Sequence, residues 1–107
     1  MRTLLLSGKD TQKAADIIKR GGIVAIPTET VYGLAANTFD ERAVKKIFLA
    51  KGRPSDNPLI AHIAALEDIY KLVSEFPEIA QKLANKFWPG PLTMILPKKP
   101  DVPYCVT

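Results

Sequence analysis

The 107-residue chain has very few of the side chains that build covalent or metal crosslinks. Cys105 is its only cysteine, so neither an intrachain disulfide nor a cysteine-based zinc site can exist. His62 is its only histidine, which argues against a metal cage built from protein side chains alone. We therefore predict no metal site made by the protein itself.

Long apolar runs and the common catalytic signatures are also missing. No apolar run approaches the roughly 18 residues that a membrane helix needs, and the apolar part of residues 1–10 is too short for a signal peptide. We therefore expect a cytoplasmic protein with no membrane partner. The sequence contains no GxxxxGK[ST], GxSxG, HExxH or Rossmann glycine pattern, so the site must be sought elsewhere.

The composition is that of one ordinary globular domain with an excess of basic over acidic residues. Hydrophobic residues make up 47% of the chain and charged residues 24%. The net charge of +4 suits an anionic partner such as a nucleotide or RNA. The lysines are dispersed and no aromatic platform accompanies them, which weakens the case for a dedicated RNA-binding module.

Apolar patterning predicts an α/β protein. Predicted strands are residues 3–6, 22–26, 58–63 and 92–96, and predicted helices are residues 11–20, 41–51, 66–73 and 77–88. Gly21 is expected to end the first helix, and Asp40 and Gly52 to bound the second. Residues 97–103 have the composition of an extended, poorly ordered connection. This order favours a largely parallel sheet, whose ligand loops leave the carboxyl ends of the strands.

The segment PTETVYG, residues 27–33, follows the second predicted strand directly. Turn chemistry accounts for Thr28 or Glu29, with Gly33 relieving a tight bend. It does not account for Thr30 and Tyr32, whose hydroxyls are adaptable hydrogen-bonding groups. These two residues are therefore candidates for ligand binding.

The segment KGRPSDNPL, residues 51–59, carries a second set of candidates. Lys51 and Arg53 are either a helix-end charge and a solvated loop charge or a pair that grips phosphate oxygens. Asn57 can offer amide donors and a carbonyl to a nucleotide. His62 is either a satisfied core residue or a group that binds a carboxylate or hydroxyl. We interpret WPGPLT, residues 88–93, as a rigid corner over a packed Trp88.

Together, PTETVYGL, KIFLAKGRPSDNPLI with the following HI, and WPGPLT resemble the YrdC-like family of threonylcarbamoyl-AMP synthases, from about residue 11 to the end of the chain. The resemblance implies a twisted, largely parallel or mixed sheet flanked by helices, with a concave active-site surface. It also implies a nucleotidyltransferase of tRNA modification. Such enzymes make threonylcarbamoyl-AMP and pyrophosphate from L-threonine, bicarbonate and ATP with Mg²⁺, and a separate threonylcarbamoyl-transferase complex modifies the tRNA.

The resemblance also implies roles for individual residues. Thr30, Tyr32 and His62 match positions of the L-threonine site, and Lys51, Arg53 and Asn57 match positions of the ATP site. In the family, a strand that carries an arginine and an S-x-N motif follow the point at which this sequence stops. We therefore expect residues 1–107 to be the N-terminal portion of a single YrdC-like domain. Such a portion is expected to be inactive alone, to expose apolar surface and to self-associate.

Two other functions fit the sequence less well. One is a carbamoyl-adenylating module of a hydrogenase maturation protein, which the absence of upstream zinc-finger cysteines disfavours. The other is a non-catalytic module that binds tRNA or double-stranded RNA.

Overall fold

The computed structural model describes residues 3–52 and 59–106. The chain divides into two compact units, Met1–Ser55 and Asp56–Thr107.

The first unit is built on a β-hairpin with a helix on either side of it in sequence. Helix α1 is Thr11–Lys19, strands β1 and β2 are Val24–Ile26 and Gly33–Ala35, and helix α2 is Glu41–Lys51. The two strands are antiparallel, with Val24 opposite Ala35 and Ile26 opposite Gly33. Helix α1 contacts β1 and helix α2 contacts β2. The loop that joins the strands is residues 27–32.

Helix α2 has the ends that the sequence predicts. The Asp40 side chain accepts a hydrogen bond from the Ala43 amide at 3.2 Å, and Gly52 follows the helix in the left-handed conformation, with φ of 67°. The buried face of the helix supplies the core of the first unit: Ala43, Val44, Ile47 and Phe48.

Helix α1 also ends as predicted. Gly21 has φ of 88°, and the amides of Gly21 and Gly22 donate to the carbonyls of Ile18 and Ile17. Asp10 precedes the helix without capping it, because its carboxylate accepts from the Ser7 amide at 2.9 Å instead. That hydrogen bond lowers the pKa of Asp10.

The second unit contains short helical segments. A 3₁₀ turn, Leu66–Asp68, leads into helix α3, Ile69–Leu72, and helix α4 is Glu78–Phe87. A further 3₁₀ turn is Tyr104–Val106. The buried side chains of this unit are Ile69, Val73, Ala80, Ala84, Val102 and Val106.

Asp68 closes the turn before α3. Its carboxylate accepts from the Ala65 amide at 3.1 Å and lies 3.2 Å from the Lys71 ammonium. The Lys71 contact, followed by the Ala65 hydrogen bond, holds the pKa of Asp68 below its usual value.

Three of the four predicted strands are not strands in the described residues. Residues 3–6, 59–63 and 92–96 form no ladder, although 92–96 alternates between exposed and half-buried side chains as a strand does. The one sheet in the described part of the chain is the antiparallel hairpin, so the predicted parallel pairing is absent there. A strand needs a hydrogen-bonding neighbour, and apolar patterning alone does not supply one.

The prediction of a poorly ordered connection at residues 97–103 is wrong. Lys98 forms an antiparallel bridge with Val73, and the Lys99 amide donates to the Leu72 carbonyl at 2.7 Å. Val102 is buried at 3% exposure. The burial of Val102 and these backbone hydrogen bonds hold the segment against the rest of the unit. Its prolines and lysines are typical of a linker, which is why the sequence suggested one.

Both units leave large apolar side chains exposed, in agreement with the expected uncovered surface. Leu5 and Ile95 are almost fully exposed. None of the helices in the described ranges is long and apolar enough to cross a membrane.

Candidate functional site

The hairpin loop is organised by Thr28. Its hydroxyl oxygen accepts hydrogen bonds from the amides of Val31 at 3.2 Å and Thr30 at 3.4 Å. The same hydroxyl donates to the Val31 carbonyl. This is the turn chemistry that the sequence predicts for Thr28.

Thr30 and Tyr32 are displayed by the same loop. Both are exposed, Tyr32 to 74%. Neither hydroxyl forms a hydrogen bond with a residue that the structure describes. The loop therefore offers two adjacent hydroxyl side chains that the turn itself does not use.

Gly33 is not at a tight bend. It is the first residue of β2, opposite Ile26, and its φ is not positive. A Cβ added there would lie 3.8 Å from the Thr28 methyl, an ordinary van der Waals contact. The suggestion that Gly33 relieves a bend is wrong, because the Thr28 hydrogen bonds make the turn several residues earlier.

Lys51 is the last residue of α2, in the same unit as the hairpin loop. It is exposed, and it forms no ion pair with any described residue. Its position complements the negative end of the helix dipole, and its ammonium is accessible to an anion. Both interpretations of Lys51 are compatible with this geometry.

The other three candidates lie elsewhere. Arg53 and Asn57 are outside the described residues. His62 is in the second unit, where it is exposed and its Nδ1 is 3.1 Å from the carbonyl oxygen of Ile60. The interpretation of His62 as a buried core residue is therefore wrong. Its Nε2 makes no hydrogen bond within the described part of the chain.

The segment WPGPLT forms a corner after α4, as predicted. The half-buried Trp88 donates from its indole nitrogen to the Leu92 carbonyl at 2.8 Å. Gly90 fits only without a side chain, because an added Cβ would lie 2.5 Å from the Phe87 carbonyl oxygen. Beside this corner, an open apolar cavity of about 210 Å³ is lined by Phe87, Pro91 and Leu92.

Within residues 3–52 and 59–106, no group of three or more His, Cys, Asp or Glu side chains is placed to hold a metal ion. The described residues therefore do not fit a metal site with protein ligands alone.

A family model and solved structures match the chain. The model Sua5_yciO_yrdC, described as "Telomere recombination", matches residues 16–107. A crystal structure of P. abyssi Sua5 complexed with L-threonine is similar, with a TM-score of 0.88 and 55% identity over 97% of this chain and 31% of that one. The α/β fold class is thereby confirmed. The chain belongs to the Sua5/YciO/YrdC family.

Two relatives of the chain are threonylcarbamoyl-AMP synthases. The threonylcarbamoyl-AMP synthase of Pyrococcus abyssi is 61% identical over 94 residues, which are 88% of this chain and 28% of the relative. That of Bacillus subtilis is 55% identical over 98 residues, 90% of this chain and again 28% of the relative. The chain thus spans less than a third of the length of these relatives.

Proposed function

We propose that the chain contributes to the synthesis of L-threonylcarbamoyladenylate, a nucleotidyl transfer that supplies tRNA modification. The observation that carries this proposal is the 61% identity with a threonylcarbamoyl-AMP synthase over most of the chain. The similarity to a Sua5 structure that holds L-threonine supports the same substrate here.

The proposed reaction uses L-threonine, bicarbonate and ATP. The amino nitrogen of threonine attacks the carbon of bicarbonate, a C–N bond forms, and water leaves to give a carbamate. A carbamate oxygen then attacks the α-phosphorus of ATP. The bond from that phosphorus to the bridging oxygen breaks, and pyrophosphate leaves. Holding two anionic reactants together and balancing their charge is the main work that the protein must do.

In this proposal the hairpin loop holds threonine. Thr30 offers its unused hydroxyl to the substrate carboxylate or hydroxyl, and Tyr32 supplies an aromatic wall. His62 binds the same molecule through its accessible imidazole. The role of each of these residues in threonine binding is a separate part of the proposal, and its own variant tests it.

The proposed ATP contacts come from the end of α2 and the segment after it. Lys51 contributes a point charge and Arg53 a bidentate fork to the phosphate oxygens, while Asn57 hydrogen-bonds the nucleotide. Magnesium enters with the ATP phosphates. The product passes to a separate threonylcarbamoyl-transferase complex, which acts on tRNA, and we place this chemistry in the cytoplasm.

The proposal is tested by measuring the synthesis of threonylcarbamoyl-AMP. The protein to use is the full gene product, which is the longest protein that the gene encodes. We expect threonylcarbamoyl-AMP and pyrophosphate, detected by mass spectrometry and a coupled pyrophosphate assay, only when threonine, bicarbonate and ATP are all present. We expect Thr30→Val and His62→Ala to raise the KM for threonine.

Thr11→Val is the matched control, because Thr11 is exposed at the start of α1 and its hydroxyl bonds to no described residue. A full gene product that forms no adenylate, or Thr30→Val and His62→Ala variants that behave like Thr11→Val, would contradict the proposal.

A further inference from the structure

One side chain supplies every hydrogen bond that the described structure shows within the loop from residue 27 to residue 32. The Thr28 hydroxyl engages the amides of Thr30 and Val31 and the carbonyl of Val31. No other hydrogen bond between described residues involves this loop. Its side chains are exposed, so apolar burial does not fix its conformation either.

These contacts constrain the candidate ligand-binding residues directly. The Thr30 amide donates to the Thr28 oxygen at 3.4 Å, which constrains the backbone from which the Thr30 side chain projects. The hydrogen bond to the Val31 carbonyl holds the peptide unit that precedes Tyr32, and the one from the Val31 amide holds the peptide unit that follows Thr30. Without them, six consecutive loop residues would rely only on the strand ends for their conformation.

We propose that Thr28 is a positioning residue for threonine binding: its hydroxyl holds the loop in the conformation that aims Thr30 and Tyr32 at the substrate. This inference rests on the proposed function. In this role Thr28 acts through Thr30 rather than by a contact of its own with the substrate. Threonine binding should therefore depend on the Thr28 hydroxyl more strongly than ATP binding does.

The chemistry of residue 28 can be varied with little change of shape. Thr28→Val keeps the volume and removes the hydroxyl, whereas Thr28→Ser keeps the hydroxyl and removes the methyl group. The methyl group has little packing to lose, since residue 28 is exposed. A positioning role therefore predicts that Thr28→Ser retains the threonine affinity that Thr28→Val loses.

The experiment measures the KM for threonine, the KM for ATP and kcat in the full gene product. For Thr28→Val we expect the KM for threonine to rise about five- to thirtyfold, the scale of one or two lost hydrogen bonds. We expect the KM for ATP to change less than about twofold, and Thr28→Ser to remain close to the wild type. Thr11→Val is again the control.

Amide hydrogen exchange supplies a second readout that does not depend on catalysis. Thr28→Val should accelerate exchange at Thr30 and Val31, while the protected amides of α2 keep their rates. Three results would overturn the inference. They are unchanged threonine KM in Thr28→Val, failure of Thr28→Ser to restore it, and a parallel loss of threonine binding, ATP binding and thermal stability.

The outcome also separates this inference from the proposed function. A wild-type protein that neither synthesises the adenylate nor binds L-threonine in calorimetry would overturn both. If the wild type synthesises the adenylate and Thr28→Val leaves the KM for threonine unchanged, only the positioning role is overturned.

Discussion

The junction between α1 and β1 offers a sharp test of the packing that supports the hairpin. A Cβ added at Gly22 would lie 2.6 Å from the Ile17 Cγ2 and 3.0 Å from the Ile17 carbonyl oxygen. The same carbonyl accepts the Gly22 amide at 2.9 Å. Gly22→Ala therefore forces apart two groups that a hydrogen bond holds together.

The cost follows from these distances. Non-bonded carbons prefer separations of about 3.5–4.0 Å, so the new methyl group or Ile17 must move by roughly 1 Å. Ile17 has little freedom to do so, because a β-branched side chain in a helix has one strongly preferred rotamer. We expect Gly22→Ala to lower the free energy of unfolding by about 1–3 kcal/mol, the usual cost of overpacking.

Gly33→Ala, at the first residue of strand β2, is the matched control. Its added Cβ makes only an ordinary contact at 3.8 Å, and its φ is not positive. Because alanine reduces the entropy of the unfolded chain, we expect a neutral change or a gain of up to about 1 kcal/mol. Urea unfolding measures the free energy of unfolding of both variants, which can be compared directly when their m-values are equal. Equal stability of the two variants would refute the packing argument.

Three further predictions concern ligand binding, pH and assembly. Arg53→Ala in the full gene product should weaken ATP binding by about 1.5–3 kcal/mol. Arg53→Lys should also weaken it, because an ammonium cannot form the bidentate fork. If calorimetry finds the ATP affinity unchanged in both variants, Arg53 is only a solvated charge. Because the pKa of Asp68 is lowered in the folded state, its stabilisation is complete above its ordinary value of 3.8 and is lost as the pH falls through the lowered value. Asp68→Asn should therefore weaken the acid dependence of the unfolding midpoint, and an identical dependence would contradict this. The isolated 107-residue chain should form no adenylate and should self-associate through its exposed apolar surface, visible by light scattering, whereas a constant monomer mass or a rate near that of a longer protein would contradict this.

The helices could be predicted from the sequence because their signals are local. Asp40 and Gly52 bound α2 through contacts within a few residues, and the apolar spacing between them identifies the buried face. Gly21 ends α1 for the same reason. The corner at Trp88 was likewise encoded in consecutive residues.

The sheet could not be predicted in the same way. The apolar segments 59–63 and 92–96 have strand-like composition, but whether they form ladders depends on partners distant in sequence. The strand Gly33–Ala35 was missed because its three residues follow a six-residue loop rather than the short turns typical of hairpins. Pro27, which suggested only the end of a buried strand, is the first residue of that loop.

The candidate site was partly predictable. Thr30 and Tyr32 were singled out as residues that the turn does not need, and their hydroxyls are indeed unused among the described residues. The apolar neighbours of His62 left two interpretations open, a core residue or an accessible binding group, and its exposure excludes the first. The sequence predicts turn chemistry for Thr28, but the hydrogen bond between its hydroxyl and the Thr30 amide depends on the shape of the loop.

The most direct test of the account is a titration of the isotope-labelled full gene product with L-threonine, followed by NMR. The account predicts that the signals of Thr30, Tyr32 and His62 shift together with one dissociation constant, and that Thr30→Val weakens the response of His62. Shifts at Thr30 and Tyr32 without a shift at His62, or a His62 response that Thr30→Val leaves unchanged, would contradict the proposed roles of these residues in threonine binding.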